Sequence, residues 1–147
     1  GVMIVYASMY GNTEAAAQNL AAKLCEKGMT NVVLYDVSNT HVSQLISETF
    51  RLSHIVLASV TYNLGIYPLM HNYLMDMKAL NLQKRTFAII ENGSWACKSG
   101  SLMREFIDDM REMDILDEQV TLMSSMTEDN GSDMDTLADG LIESMKQ

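Results

Sequence analysis

Residues 2–24 read Val2-Met3-Ile4-Val5-Tyr6-Ala7-Ser8-Met9-Tyr10-Gly11-Asn12-Thr13-Glu14-Ala15-Ala16-Ala17-Gln18-Asn19-Leu20-Ala21-Ala22-Lys23-Leu24. Three segments follow one another without a gap. Val2–Ala7 is a continuous apolar run, the pattern of a strand buried on both faces. Ser8–Thr13 is short and polar. From Glu14 onward, Ala16, Ala17, Leu20, Ala21 and Leu24 recur at helical spacing. A strand that feeds a helix through a tight polar loop places free backbone N–H groups at the helix N-terminus, where the dipole favours an anion. Ser8, Asn12 and Thr13 add side-chain donors, and Gly11 permits close backbone approach. We read Ser8–Thr13 as a phosphate loop, with Asn12 or Thr13 also expected to cap the helix.

Outward from this unit, strand and helix signals alternate. Strands are predicted at Asn31–Asp36, His54–Ser59, Thr86–Ile90 and Gln119–Met123. Helices are predicted over His41–Phe50, from Pro68 (the only proline), and around two later stripes, Met103/Phe106/Ile107/Met110 and Met134/Leu137/Leu141/Met145. Gly28 stands where the first helix should stop. Repeated β–α units of this length predict an α/β three-layer sandwich with a five-stranded, doubly wound parallel sheet. Ligands of such sheets bind beyond the carboxyl ends of the strands. Three loops leave those ends with site-like chemistry: Ser8–Thr13, Ser59–Tyr67 and Glu91–Gly100.

Composition bounds the function. The 147 residues suit one domain, with 48% hydrophobic and 20% charged residues. No apolar run approaches the roughly 18 residues of a membrane span. Cys25 and Cys97 are far apart in sequence and fit a reducing, cytoplasmic setting. Gly1 reads as a cloning remnant, and the abrupt start inside a strand fits a domain cut from a longer protein. The net charge is −9, and residues 100–147 carry thirteen of the nineteen Asp and Glu. That excess argues against nucleic acid as partner. It is either a solvated acidic surface or a docking face for a basic redox partner. His41, His54 and His71 are scattered without metal-ligand spacing.

The first loop lacks the Gly-Lys-Ser/Thr of a Walker loop and the GxGxxG of a dinucleotide site. It contains no Lys or Arg, so neutral donors and the helix dipole must hold the phosphate. The second loop presents Ser59, Val60, Thr61, Tyr62, Asn63 and Gly65. The third presents Asn92, Gly93, Ser94 and Trp95. Tyr62 and Trp95 are flat side chains just past strand ends and suit a planar ligand. Covering loop backbone is their alternative use. With the phosphate loop, they point to a planar, phosphorylated cofactor.

VYASMYGNTEAAAQNLAAKL resembles the phosphate-binding segment of flavodoxins, whose usual pattern is Ser/Thr-x-Thr-Gly-Asn-Thr; Tyr10 stands at the third position here. With SVTYNLGIYP and IIENGSW, it is most similar to the flavodoxin-like domain of A-type flavoproteins, the flavodiiron proteins. The resemblance spans essentially the whole chain and implies a short-chain flavodoxin fold with bound FMN. It places Ser8, Met9, Tyr10, Gly11, Asn12 and Thr13 around the phosphate. It places Ser59, Val60, Thr61, Tyr62, Asn63 and Gly65 on one side of the flavin, and Asn92, Gly93, Ser94 and Trp95 on the other. Two positions depart from the family pattern. Val60 stands where proline is common. Asn63 stands near the position of a glycine beside the flavin, and it reaches left-handed backbone less freely.

The implied role is electron transfer between redox partner proteins, a donor and an acceptor, with the FMN doing the chemistry and no residue required as general acid or base. The alternative is an FMN-dependent NAD(P)H or quinone reductase on the same fold. Full A-type flavoproteins carry a di-iron site in a separate domain that is not part of this sequence.

Overall fold

The computed structural model describes residues 1–7, 11–62, 65–92, 99–122 and 128–146, with backbone alone at 61, 62, 65, 66, 99, 118 and 128–130. The elements run β1 (Val2–Ala7), α1 (Asn12–Glu26), β2 (Val32–Asp36), α2 (Val42–Arg51), β3 (His54–Tyr62), β4 (Gly65–Ile66), α3 (Pro68–Ala79), β5 (Thr86–Asn92), α4 (Ser99–Asp108), β6 (Asp114–Leu122) and α5 (Glu128–Met145). Five strands form a parallel sheet in the order β2-β1-β3-β5-β6, and the short β4 pairs antiparallel with the end of β3. This is the doubly wound sheet expected from the β–α alternation, with β1 and β3 central and β1 the point where strand order reverses.

The pleat sorts side chains into two cores. Met3, Val5, Ile55, Leu57, Phe87 and Ile89 face the layer of α2, α3 and α4, where Leu45, Tyr73 and Met103 meet them. Val2, Ile4, Val56, Ala58, Ala88 and Ile90 face α1 and α5, where Leu20, Leu24, Leu137 and Leu141 meet them. All six residues of β1 are buried, which is why the strand reads as an unbroken apolar run. Full burial of each large apolar side chain contributes about 1.5–3 kcal/mol.

Helix boundaries follow local chemistry. Pro68 occupies the first turn of α3, where its missing N–H costs nothing. Gly28 adopts φ +99° after α1. Its N–H bonds to Cys25 O (3.1 Å) and that of Met29 to Leu24 O (3.0 Å), a Schellman closure that uses the left-handed residue. At α2, His41 Nδ1 accepts the Ser43 N–H at 3.1 Å.

Several boundaries differ from the sequence expectation. β3 continues to Tyr62 and β5 to Asn92, so residues expected to open loops close strands instead. The stretch expected to be wholly loop contains β4. β6 begins five residues early, at Asp114. Its register against β5 shifts between Phe87↔Ile115 and Ile89↔Gln119, so residues 116–118 bulge and break the alternation that marks a strand. The Leu116 carbonyl in that bulge accepts from Arg104 Nη2 at 3.2 Å.

Candidate functional site

The carboxyl ends of three strands meet along one edge of the sheet. Ala7 pairs with Ser59, and Val60 pairs with Asn92. α1 begins directly beyond β1, and its N-cap is Gly11 at φ +87° rather than Asn12 or Thr13. That corrects the capping expectation. The chain must enter the helix through left-handed backbone, which glycine adopts without penalty, and this turns Thr13 into the first helical turn. Gly11 offers no side chain to cap the helix. Among the described residues, no atom lies within 4 Å of where a side chain at Gly11 would begin. A helix start whose N-cap brings no side chain presents backbone N–H groups and the positive end of the dipole, the complement of an anion.

Thr13 is 1% exposed and turns into the fold. Its Oγ1 accepts a hydrogen bond from Asn92 Nδ2 at 3.2 Å. This contact joins the start of α1 to the end of β5 across 79 residues of sequence. Asn92 reaches α1 because it shares the face of Ala88 and Ile90 in the period-2 pleat. On the same side, Tyr6 donates its phenol hydrogen to Glu14 Oε1 at 3.0 Å. Burial, then the Glu14 hydrogen bond and the charges of Glu14 and Asp36, push the Tyr6 phenol up to about 12.

Ser59 is fully buried at the end of β3, and its Oγ donates to Val60 O at 3.2 Å. Val60 is half-buried beside it. Thr61, Tyr62 and Gly65 are placed as backbone in the β3–β4 hairpin, with Thr61↔Ile66 and Tyr62↔Gly65 pairing. Ser8, Met9, Tyr10, Asn63, Gly93, Ser94 and Trp95 lie outside the described residues. The structure therefore brings together Gly11, Asn12, Thr13, Ser59, Val60 and Asn92, and flanks them with the β3–β4 hairpin.

One polar residue at this edge was not singled out from the sequence. Glu91, next to Asn92, points to the opposite face of β5 and is 8% exposed. Its Oε2 accepts the Gly100 N–H at 2.8 Å, at the start of α4. Its Oε1 accepts from Gln119 Nε2 at 3.1 Å and from Thr121 Oγ1 at 2.9 Å, both on β6. The available signal was the pair Gln119 and Thr121, polar at alternate positions beside apolar Val120 and Leu122. It marks one face of that strand as polar where it meets β5.

Comparison with known proteins places the chain. The Flavodoxin family profile matches residues 4–114. The chain belongs to the flavodoxin family. A curated relative, the rubredoxin-oxygen oxidoreductase of Megalodesulfovibrio gigas, is 30% identical over 109 residues, 74% of this chain and 27% of that protein. The solved structure of the Desulfovibrio gigas rubredoxin oxygen:oxidoreductase superposes with a TM-score of 0.91 at 27% identity, over 99% of this chain and 36% of that one. A Streptococcus pneumoniae flavodoxin gives 0.85 at 22% identity, covering 97% of this chain and 98% of its own. A flavo di-iron protein of Thermotoga maritima gives 0.79 at 19% identity, covering 97% of this chain and 35% of that one. The last two show the fold alone. The flavodoxin-family chain thus spans about a third of the longer proteins it matches.

FMN is the cofactor of this family, and the described residues fit its phosphate end. The start of α1 supplies backbone donors and a favourable dipole, and Gly11 brings no side chain into the approach. Among the described residues, no group of three His, Cys, Asp or Glu could hold a metal ion, and no helix is long and apolar enough to cross a membrane.

Proposed function

We propose that this flavodoxin-family chain is an electron-transfer unit that takes electrons from one redox protein and delivers them to another through FMN. Bound FMN supplies the electron-accepting and electron-donating chemistry. The chain's own residues bind and orient it. Residues Ser8 to Thr13 hold the phosphate, Ser59 to Asn63 with Gly65 cover one side of the ring system, and Asn92 to Trp95 cover the other. The observation that carries this reading is the Thr13–Asn92 hydrogen bond, which locks the phosphate helix to the strand that launches the third loop. A buried polar contact between two ligand-bearing segments fixes their separation, as a two-ended ligand requires.

The shared third of the longer oxidoreductases supports a place for this unit beside an oxidoreductase domain. The acidic second half supports docking of a basic redox partner. Some of its charge is already paired: Lys23 meets Asp135 at 3.1 Å, Lys27 meets Asp139 at 2.9 Å, Lys78 meets Asp109 at 3.2 Å and Lys84 meets Glu112 at 3.8 Å. The docking charge therefore rests on the other carboxylates of residues 100–147. Such a face makes association fall with rising salt.

Anaerobic addition of NADPH to the FMN-loaded protein tests the assignment. An electron-transfer unit keeps its yellow colour until a reduced partner protein is added. Rapid bleaching by NADPH alone would assign a reductase instead.

A further inference from the structure

Glu91 forms a hydrogen-bond chain whose polarity is set at one end. Arg104 can only donate, and its Nε bonds to Gln119 Oε1 at 2.8 Å. The Gln119 amide must then turn its Nε2 to Glu91, as observed at 3.1 Å. Thr121 Oγ1 also donates to Oε1, and the Gly100 backbone N–H donates to Oε2. Among the described residues every partner of the Glu91 carboxyl is a donor, so toward them this buried side chain serves as acceptor only. Its charge lies at the N-terminus of the ten-residue α4, where the helix dipole favours it. The fit at Gly100 leaves no room for a side chain, because an added Cβ would run into the Glu91 carboxylate and approach Gln119 Nε2 to 3.0 Å.

Two adjacent residues of β5 thus grip two different elements. Asn92 holds α1 on one face of the sheet, and Glu91 holds α4 and β6 on the other. Between Asn92 and α4 runs the segment that carries Gly93, Ser94 and Trp95.

We propose that Glu91 is a positioning residue for the cofactor: beside Asn92, at the carboxyl edge of the sheet, it clamps the start of α4 to β5 and β6 and places a negative charge there. The proposal rests on the FMN reading above. Arg104 and Gln119 act through Glu91 by dictating which of its neighbours donate.

The polarity gives the test its form. In Glu91→Gln, the new amide must present a donor to Gln119 or Gly100, and Gln119 cannot flip while Arg104 holds its oxygen. One contact is lost whichever way the amide turns. Adding Arg104→Gln frees Gln119 to flip, which restores the contacts but not the charge. The measurements are hydrogen exchange of the Gly100 amide and the Gln119 side-chain amide in the FMN-free protein, FMN dissociation constant from flavin fluorescence quenching, and the midpoint potential of bound FMN.

The single variant is expected to exchange either the Gly100 amide or the Gln119 side-chain amide faster, according to which contact is lost, and to bind FMN about tenfold more weakly, the effect of one buried contact left unmade. The double variant is expected to recover exchange and affinity, and the single variant, which loses the anion and keeps the Arg104 cation, to show a potential less negative than the parent's, because reduction no longer adds electrons beside that anion. Parent-like exchange and affinity in Glu91→Gln would overturn the clamp. An unchanged potential in Glu91→Gln would overturn the charge role. Should Glu91→Gln not fold, Gly100→Ala displaces the carboxylate without removing it. Faster exchange of the α4 start and weaker FMN binding are expected there, and parent-like values of both would overturn the clamp. A parent protein that ignores FMN would instead overturn the cofactor reading, while Gly100 exchange still reports on the clamp.

Discussion

Removing the Thr13 hydroxyl probes the joint between α1, the proposed phosphate helix, and the end of β5. Thr13 is 1% exposed, and its Oγ1 accepts from Asn92 Nδ2 at 3.2 Å. Thr13→Ala deletes that acceptor, a loss of about 1 kcal/mol. It also deletes a buried methyl group worth about 0.8 kcal/mol. The sum is about 2 kcal/mol, which lowers the Tm of a domain this size by roughly 4–8 °C. Thr13→Ser keeps the hydroxyl and gives up only the methyl term, so it is expected to lose about half as much. The two variants should separate more sharply in ligand binding. Asn92 is no longer held to α1 in the alanine variant, so the phosphate loop and third loop are not preset for FMN. We expect its affinity to fall about tenfold, or 1.4 kcal/mol, with the serine variant close to the parent. Thermal unfolding of the FMN-free proteins and fluorescence titration with FMN provide both numbers. Equal FMN affinity for Thr13→Ala and the parent would refute the idea that this contact organises the site.

Gly28→Ala puts a side chain at φ +99° and is expected to cost about 1 kcal/mol, lowering Tm by roughly 2–4 °C without changing FMN affinity; an unchanged Tm would count against the Schellman closure. Burial holds the His54 imidazole below the usual histidine value. The unfolded chain therefore takes up the proton first as pH falls, and stability present above about pH 6.5 is lost as pH drops through the lower folded value. Denaturant titrations at pH 7 and pH 5 should show a smaller loss in His54→Gln than in the parent, and an equal loss would remove His54 as a cause.

Much of the fold was legible because its strongest signals are local. The apolar run Val2–Ala7, the helical stripe of α1 and the single proline at α3 each report one element without reference to the rest. The sheet order then follows from short right-handed β–α connections. What sequence reading missed depends on tertiary context. Acidic Asp114 and Asp117 hid the first half of β6, whose bulge breaks the two-residue period. The cap of α1 lies at Gly11 because backbone handedness, not side-chain capping power, decides the entry to that helix.

Of the candidate site, sequence reading singled out Gly11, Thr13 and Asn92, and the structure brings the last two into contact. Glu91 was not, since a carboxylate beside Asn and Gly reads as loop. Only the pleat, which sends Glu91 and Asn92 to opposite faces, shows that the two do different work. The buried Thr49–Tyr73 contact escaped for the same reason. Its partners lie on α2 and α3, and only packing brings them together.

The most direct test of the account is titration of the FMN-free protein with FMN, followed by flavin fluorescence and visible absorption. We predict saturable binding of one FMN per chain, with the fluorescence quenched and the protein yellow after the excess is removed. A protein that stays colourless and leaves FMN fluorescence untouched would contradict the assignment of Ser8–Thr13 as a phosphate loop and the electron-transfer role built on it.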